Sequence, residues 1–208
     1  FFLATIVLQN QGVDLTDKLG LHFPGSEKFM PHQIITYMFM HGDFMHLFFN
    51  MFALWMFGNT LENVWGPKRF LIYYLITGIG AAICHYVVLY FVDLKPILDG
   101  LNSAPITSDQ LIQYKENLLN APLVVGASGS VFGILLAFGM LFPNTMLYVY
   151  FAIPIKAKWF VVIYGALELF SGLRGAPGDN VAHFAHLGGM LFGFILIKYW
   201  QKRSNRFY

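Results

Sequence analysis

Several polar side chains of this sequence stand inside apolar stretches, where they could carry out chemistry. They are a serine, three histidines, an asparagine and a glutamate: Ser128, His183, His186, His46, Asn50 and Glu168. Polar groups in strongly apolar helices are costly to bury and therefore mark candidate functional sites. A hydroxyl can act as a nucleophile and an imidazole as its base, while an amide and a second imidazole can donate hydrogen bonds to an oxyanion.

The serine stands in the segment Gly126-Ala127-Ser128-Gly129. Pro122 and Gly126 predict that a helix begins just before Ser128, so the hydroxyl would lie beside unpaired backbone N–H groups and the positive end of the helix dipole. That environment suits a nucleophile whose attack creates an oxyanion. Gly129 has a second interpretation, since its spacing with Gly133 is also that of a close helix-packing face.

A base is needed because a serine hydroxyl is a weak nucleophile until its proton is removed. His183 and His186 lie three residues apart and share a helix face with Gly189. The surrounding run has no His-Glu-x-x-His pattern and no acid, so we predict no metal and no cofactor. Glu168 is expected to be interfacial or hydrogen-bonded. With no acid placed to orient the imidazole, the residues favour a dyad over a triad.

His46 and Asn50 stand four residues apart and so share one face at the start of a helix. They could donate hydrogen bonds to an oxyanion. The alternative is that both are satisfied polar residues that join neighbouring helices.

The elements that would position these residues are predicted to lie in a membrane. Hydrophobic residues make up 57% of the 208 residues and charged residues 12%, which is too apolar for a soluble domain. A single cysteine, Cys84, excludes a disulfide framework. A net charge of +2 gives no indication of a nucleic-acid partner.

Hydropathy predicts an all-α membrane protein in one domain, 1–208, with six helices of which the first is truncated. The expected helices are an apolar stub at 1–9, four long runs and one shorter run: about 45–64, 69–92, 147–171, 181–200 and 127–142. Two long connections join them, a first loop at about 10–44 and a third loop at about 93–125. Within the first loop, 29–40 is predicted to be amphipathic structure at the interface.

Basic residues collect on one predicted side of the membrane, which includes the turn at 65–68, the connection at 143–158 and the tail at about 200–208. The positive-inside rule makes this side cytoplasmic. The C-terminus is then cytoplasmic, and both long loops face outward.

At these residues the sequence resembles the rhomboid family of intramembrane serine proteases. The family's motifs occur in order: His-x-x-x-Asn at 46–50, Glu-x-x-x-Gly-x-x-Arg at 62–69, Gly-x-Ser-Gly at 126–129 and Ala-His-x-x-His at 182–186, which continues to Gly189. The resemblance implies that Ser128 is the nucleophile and His183 the general base. It also implies that His46, Asn50 and Gly126 line the oxyanion and substrate site.

The same resemblance implies a six-helix rhomboid-like bundle with a water-filled cavity, capped by the loop at 170–180. The substrates would be single-pass membrane proteins entering from the lipid bilayer, and the location a bacterial plasma membrane. Phe132 stands where many relatives have an aromatic hydroxyl against the catalytic histidine. Two alternative functions remain open. One is a non-catalytic member of the family that binds other membrane proteins, and the other is a transporter with a pathway of histidines through the membrane.

Overall fold

The computed structural model describes residues 1–149, 152–174 and 182–203, and most of these are helical. Contacts divide the chain into two compact units, each built from two separate stretches of sequence. The first unit contains 1–47 and 85–127, and the second contains 48–84 and 128–208. The helices Phe44–Ala53 and Pro67–Val88 each contribute to both units.

Eleven α-helices occur in the described ranges, and they are, in chain order, α1 Phe2–Gln9, α2 Leu15–Leu19, α3 Gln33–Thr36, α4 Phe44–Ala53, α5 Asn59–Trp65, α6 Pro67–Val88, α7 Lys95–Asn102, α8 Ser108–Asn120, α9 Ser128–Leu141, α10 Ala157–Arg174 and α11 His183–Arg203. The strands in the same ranges are β1 Leu21–His22, β2 Leu123–Val124, β3 Met146–Val149 and β4 Ile153–Lys156. Short 3₁₀ or π-helical segments extend or join several helices: Tyr37–Phe39, Leu54–Gly58 and Leu89–Leu94.

Most of the predicted helices are present near their predicted positions. One prediction was wrong, because 147–171 is not helical throughout: β3 and β4 form an antiparallel hairpin, and α10 begins only at Ala157. Tyr148 pairs with Pro154 in this hairpin. A proline inside a helix removes a hydrogen bond and clashes with the preceding turn, so the chain before Ala157 takes the extended form instead.

In the described part of the chain, one continuous helical stretch, Pro67–Asn102, is long and apolar enough to cross a membrane, and α9 is a shorter apolar helix. The third loop was expected to start at about 93, but helix continues through the π-helical segment and α7 to Asn102. The predicted bundle of six spans is therefore not established by helix length and composition.

In the first unit, the first loop is tied to the segment that leads into α9. Strand β1 pairs with β2 in antiparallel register, Leu21 opposite Val124. The Gly126 amide donates to the Tyr37 carbonyl at 2.9 Å. Within 29–40, α3 and the 3₁₀ turn after it are helical, and their place at a membrane interface stays a prediction. These backbone bonds fix the loop that precedes Ser128.

In the second unit, α9 packs closely against α6 and α11 through glycines. A Cβ added to Gly129 would lie 2.4 Å from the Ala81 Cβ on α6, and one added to Gly189 would lie 1.9 Å from the Gly129 carbonyl oxygen. A Cβ on Gly129 would also lie 3.5 Å from the Ala185 oxygen, and one on Gly133, four residues later, would lie 3.1 Å from the Gly189 oxygen, also four residues later. Helices α9 and α11 therefore run in the same direction at backbone contact, so their N-terminal ends lie side by side.

Candidate active site

Ser128 is the first residue of α9, as the sequence predicts. The turn before it depends on Gly126, whose φ of +125° is a conformation that other residues rarely adopt. Ser128 itself is only partly buried. Its hydroxyl thus lies at a helix N-terminus, where the first backbone N–H groups have no acceptor within the helix.

A histidine lies against this hydroxyl. The His186 Nε2 atom is 2.8 Å from the Ser128 Oγ atom, which is within hydrogen-bond distance. With the imidazole proton on Nδ1, the serine hydroxyl donates to Nε2. This is the arrangement of a nucleophile and its general base. By contrast, the neighbouring Ser130 hydroxyl is buried and donates to the Tyr74 carbonyl at 2.8 Å.

The structure thus places His186 against the Ser128 hydroxyl, whereas His183 was expected there as the base. The glycine contact between the helices explains the difference. Gly189 lies against Gly129, the residue after the serine, and His186 lies one turn before Gly189 on the same face of α11. His186 is therefore level with Ser128, whereas His183 lies a further turn towards the start of the helix. The contact between Gly129 and Gly189, which the sequence does not reveal, is what distinguishes the two histidines.

Glu168 joins both histidines. Its Oε2 atom lies 2.6 Å from the His183 Nδ1 atom and 2.8 Å from the His186 Nδ1 atom. The three side chains are between 10% and 14% exposed. The expectation that no acid orients the imidazole was therefore wrong. Glu168 was noticed in the sequence as a charge in an apolar helix, but its partners could not be identified.

An aromatic ring covers one face of the His186 imidazole. Phe132 stacks on the His186 imidazole with ring centroids 4.2 Å apart and planes 6° from parallel. Phe132 lies four residues after Ser128 and so follows it on the same face of α9. The stacking expected from the resemblance is thus present, on His186 rather than on His183.

The three predicted oxyanion residues are divided between the two units. His46 and Gly126 belong to the first unit and Asn50 to the second. Asn50 is buried in α4. The Gly126 amide is hydrogen-bonded to Tyr37, so an oxyanion would have to replace that bond. Their roles at an oxyanion remain predictions.

The glutamate and the two histidines could also be considered as metal ligands, since their ligand atoms all lie within 4.8 Å of one another. Atoms bound to one tetrahedral zinc ion at about 2.1 Å lie more than about 3 Å apart. The two carboxylate–imidazole distances are shorter than this and are those of hydrogen bonds. The arrangement as it stands is a hydrogen-bonded chain from Ser128 through His186 to Glu168.

Comparison with known proteins identifies the family. The model of the Rhomboid domain family matches residues 28–203, which is most of the chain. The chain belongs to the rhomboid family. The resemblance drawn from the four motifs is thereby confirmed. Members of the rhomboid family are integral membrane proteins, and this chain is one too.

Relatives come from organelles and from bacteria. The chain is 28% identical to RHOMBOID-like protein 12, mitochondrial, of Arabidopsis thaliana, over 85% of this chain and 48% of that protein. It is 27% identical to Rhomboid protein 1, mitochondrial, of Saccharomyces cerevisiae, over 83% and 44%. With the putative rhomboid protease YdcA of Bacillus subtilis it shares 27% identity, over 85% and 70%. The chain thus spans about half the length of the first two.

Two sequence predictions fall largely outside the described residues. The loop at 170–180 was expected to cap the cavity, and only its first part, in α10, is described. The tail at 200–208 is described to Arg203, where α11 ends.

Proposed function

We propose that this chain is an intramembrane serine endopeptidase that hydrolyses peptide bonds in or near transmembrane segments of membrane proteins. The observation that carries the proposal is the 2.8 Å hydrogen bond between the Ser128 hydroxyl and His186 Nε2. Membership of the rhomboid family supports it, as do relatives such as YdcA and GluP of Bacillus subtilis, which are named as rhomboid proteases.

In this mechanism, His186 removes the Ser128 proton as the oxygen attacks the scissile carbonyl. The imidazolium then returns the proton to the leaving amine, and an acyl-enzyme forms at Ser128. Water, activated by the same imidazole, hydrolyses that ester. The partly exposed position of Ser128 supports access for substrate and water.

The developing oxyanion would be stabilised by donors around the start of α9. The Ser128 backbone N–H is one, because it belongs to the first turn of the helix. We assign His46, Asn50 and Gly126 as the further oxyanion and substrate-binding residues, on the strength of the family motifs. Donors aimed at a developing oxyanion are worth about 10²–10³ in rate each.

We further propose that the substrates are single-pass membrane proteins that reach Ser128 from the bilayer. The C-terminal tail would be cytoplasmic and the long loops at 10–44 and 93–125 would face outward, as the distribution of basic residues indicates. A bacterial plasma membrane is one location that fits the relatives, which also include mitochondrial and chloroplast proteins.

The test uses the full chain in liposomes with a fluorescent single-pass substrate. We expect Ser128→Ala and His186→Ala each to reduce cleavage by about 10³-fold or more, because each removes a member of the reacting pair. His183→Ala should retain activity within about tenfold, since His183 acts on Glu168 and not on the hydroxyl. Circular dichroism of each variant checks that the helices remain.

A fluorophosphonate probe provides a second readout. It should label Ser128 in the His183→Ala protein and fail to label it in the His186→Ala protein. Cleavage that persists in Ser128→Ala would rule out this nucleophile. Loss of labelling in His183→Ala, with labelling kept in His186→Ala, would return the base to His183.

A further inference from the structure

We infer that Glu168 is a positioning residue, which makes the site a chain of serine, histidine and glutamate rather than a dyad. The inference rests on the proposed function, since it assigns a role within the same reaction. It begins from one observation: the His186 ring has a hydrogen-bond partner on each nitrogen, Ser128 at Nε2 and Glu168 at Nδ1.

The two contacts together select one tautomer. A carboxylate only accepts hydrogen bonds, so Glu168 requires the His186 proton to lie on Nδ1. Nε2 is then left with the lone pair that accepts the Ser128 proton. When that proton arrives, the imidazolium lies 2.8 Å from the carboxylate oxygen, whose negative charge stabilises it. Glu168 itself keeps its charge throughout.

The carboxylate is held in place from outside the reacting pair. His183 Nδ1 lies 2.6 Å from the Glu168 Oε2 atom, the same atom that contacts His186. His183 is the first residue of α11, so this bond joins α10 to the start of α11. The sequence Ala182 to His186 thus supplies two histidines with different tasks: one fixes the carboxylate and the other reacts.

The position of Glu168 argues for a specific task. It is a carboxylate in α10, an 18-residue helix whose neighbouring side chains are apolar and exposed, including Leu167 and Phe170. A charged residue in such a helix is costly unless it is paired. Its side chain is only 13% exposed, and it contacts two imidazoles. These contacts explain why a charge is retained there.

The test compares the activities of three Glu168 variants, because a positioning role and a packing role predict different orders of activity. Glu168→Gln keeps the shape and can present its N–H₂ group to Nδ1, which favours the His186 tautomer that cannot accept the serine proton. Glu168→Ala leaves Nδ1 without this partner, and Glu168→Asp keeps the charge. For positioning, we expect activity to decrease in the order Glu, Asp, Ala, Gln. A role in packing alone predicts that Gln is the best tolerated.

The measurement is the rate constant for fluorophosphonate labelling of the full chain in liposomes, with the final number of labelled sites as the control for folding. We expect Glu168→Gln to lower the rate constant between about 10-fold and 10⁴-fold, the upper figure being the effect of the equivalent change in a Ser-His-Asp triad. The final labelling should remain one per chain. In substrate cleavage, kcat should fall while KM changes little.

Glu116→Gln is the matched control, because Glu116 is an exposed glutamate on α8. The inference is overturned if wild-type protein reacts and Glu168→Gln reacts at the same rate. It is also overturned if Gln is tolerated better than Ala, or if a chelator lowers the wild-type rate to that of Glu168→Ala, which would indicate a metal site. Wild-type protein that neither cleaves nor labels would instead contradict the proposed function.

Discussion

At the scale of single residues, the site depends on which of two similar histidines faces the serine. Both follow an alanine, and both lie on the glycine-bearing face of α11. The hydrogen bond from Ser128 goes to His186, and Glu168 contacts both rings. The histidine that contacts the hydroxyl is therefore decided by an offset of three residues, about 4.5 Å along the helix axis.

A buried histidine of the first unit leads to a prediction about pH. Burial, together with the nearby His46, lowers the pKa of His41 from 6.5 to about 4. The two rings lie edge to face with centroids 5.1 Å apart. Because the folded state favours neutral His41, its contribution to stability is complete above pH 6.5 and is lost as the pH falls towards 4. The thermal unfolding midpoint should fall between pH 7.5 and pH 4.5.

The variant His41→Phe isolates this effect, because phenylalanine fills a similar volume and does not titrate. Its unfolding midpoint should decrease less over the same pH range. A parallel decrease in both proteins would mean that other groups cause the acid sensitivity.

At the scale of the elements, the site depends on how closely α9 approaches α11. Glycines at the crossing let the backbones touch, so that the serine at the start of one helix meets the imidazole in the first turn of the other. Tyr73 of α6 adds a hydrogen bond to the Gly133 carbonyl at 2.8 Å, which fixes α9 against α6. Close packing of small residues is the usual means of association between membrane helices.

Gly189→Ala tests this crossing. The added methyl group would lie 1.9 Å from the Gly129 carbonyl oxygen, which is backbone and cannot turn aside. We expect a loss of about 1–3 kcal/mol or more in the free energy of unfolding, from overpacking. Separation of the helices should also slow labelling of Ser128.

Gly165→Ala in α10 is the matched control. Its methyl group would meet the flexible end of Met190 at 3.2 Å, which can move. This variant should unfold and react much as the wild type does. Equal effects of the two substitutions would show that the α9–α11 contact is not the determinant.

At the scale of the whole molecule, the described helices expose many large apolar side chains. Trp159, Phe170 and Leu173 of α10 are each more than half exposed, as is Trp55. Surfaces of this kind are unfavourable in water and suit lipid. They agree with the integral membrane location that the family implies.

The direction of insertion is a separate prediction, made from the basic residues. In a Cys84→Ser background, we expect Lys202→Cys and Gln113→Cys to lie on opposite sides of the membrane. A membrane-impermeant maleimide added to whole cells should label Gln113→Cys, in α8, and label Lys202→Cys only after lysis. Labelling of both in intact cells would contradict the positive-inside assignment.

The sequence by itself determined most of the helices and the position of Ser128 at the start of one of them. Long apolar runs and a Pro122–Gly126 helix-start signal are local properties, so the beginning of α9 at Ser128 could be predicted. The region 147–156 could not be predicted from hydropathy, because an apolar strand and an apolar helix have the same composition. Pro154 was the local indication that hydropathy overlooked.

Only the tertiary structure decided which histidine contacts Ser128 and that Glu168 contacts both histidines. Such contacts join residues 15 to 58 positions apart: Glu168 to His183, Glu168 to His186 and His186 to Ser128. Spacing along one helix shows that His183 and His186 share a face. It does not show which of them lies beside Ser128, because that depends on the axial offset between α9 and α11. The contact between Gly129 and Gly189 fixes that offset, and with it the histidine that contacts Ser128.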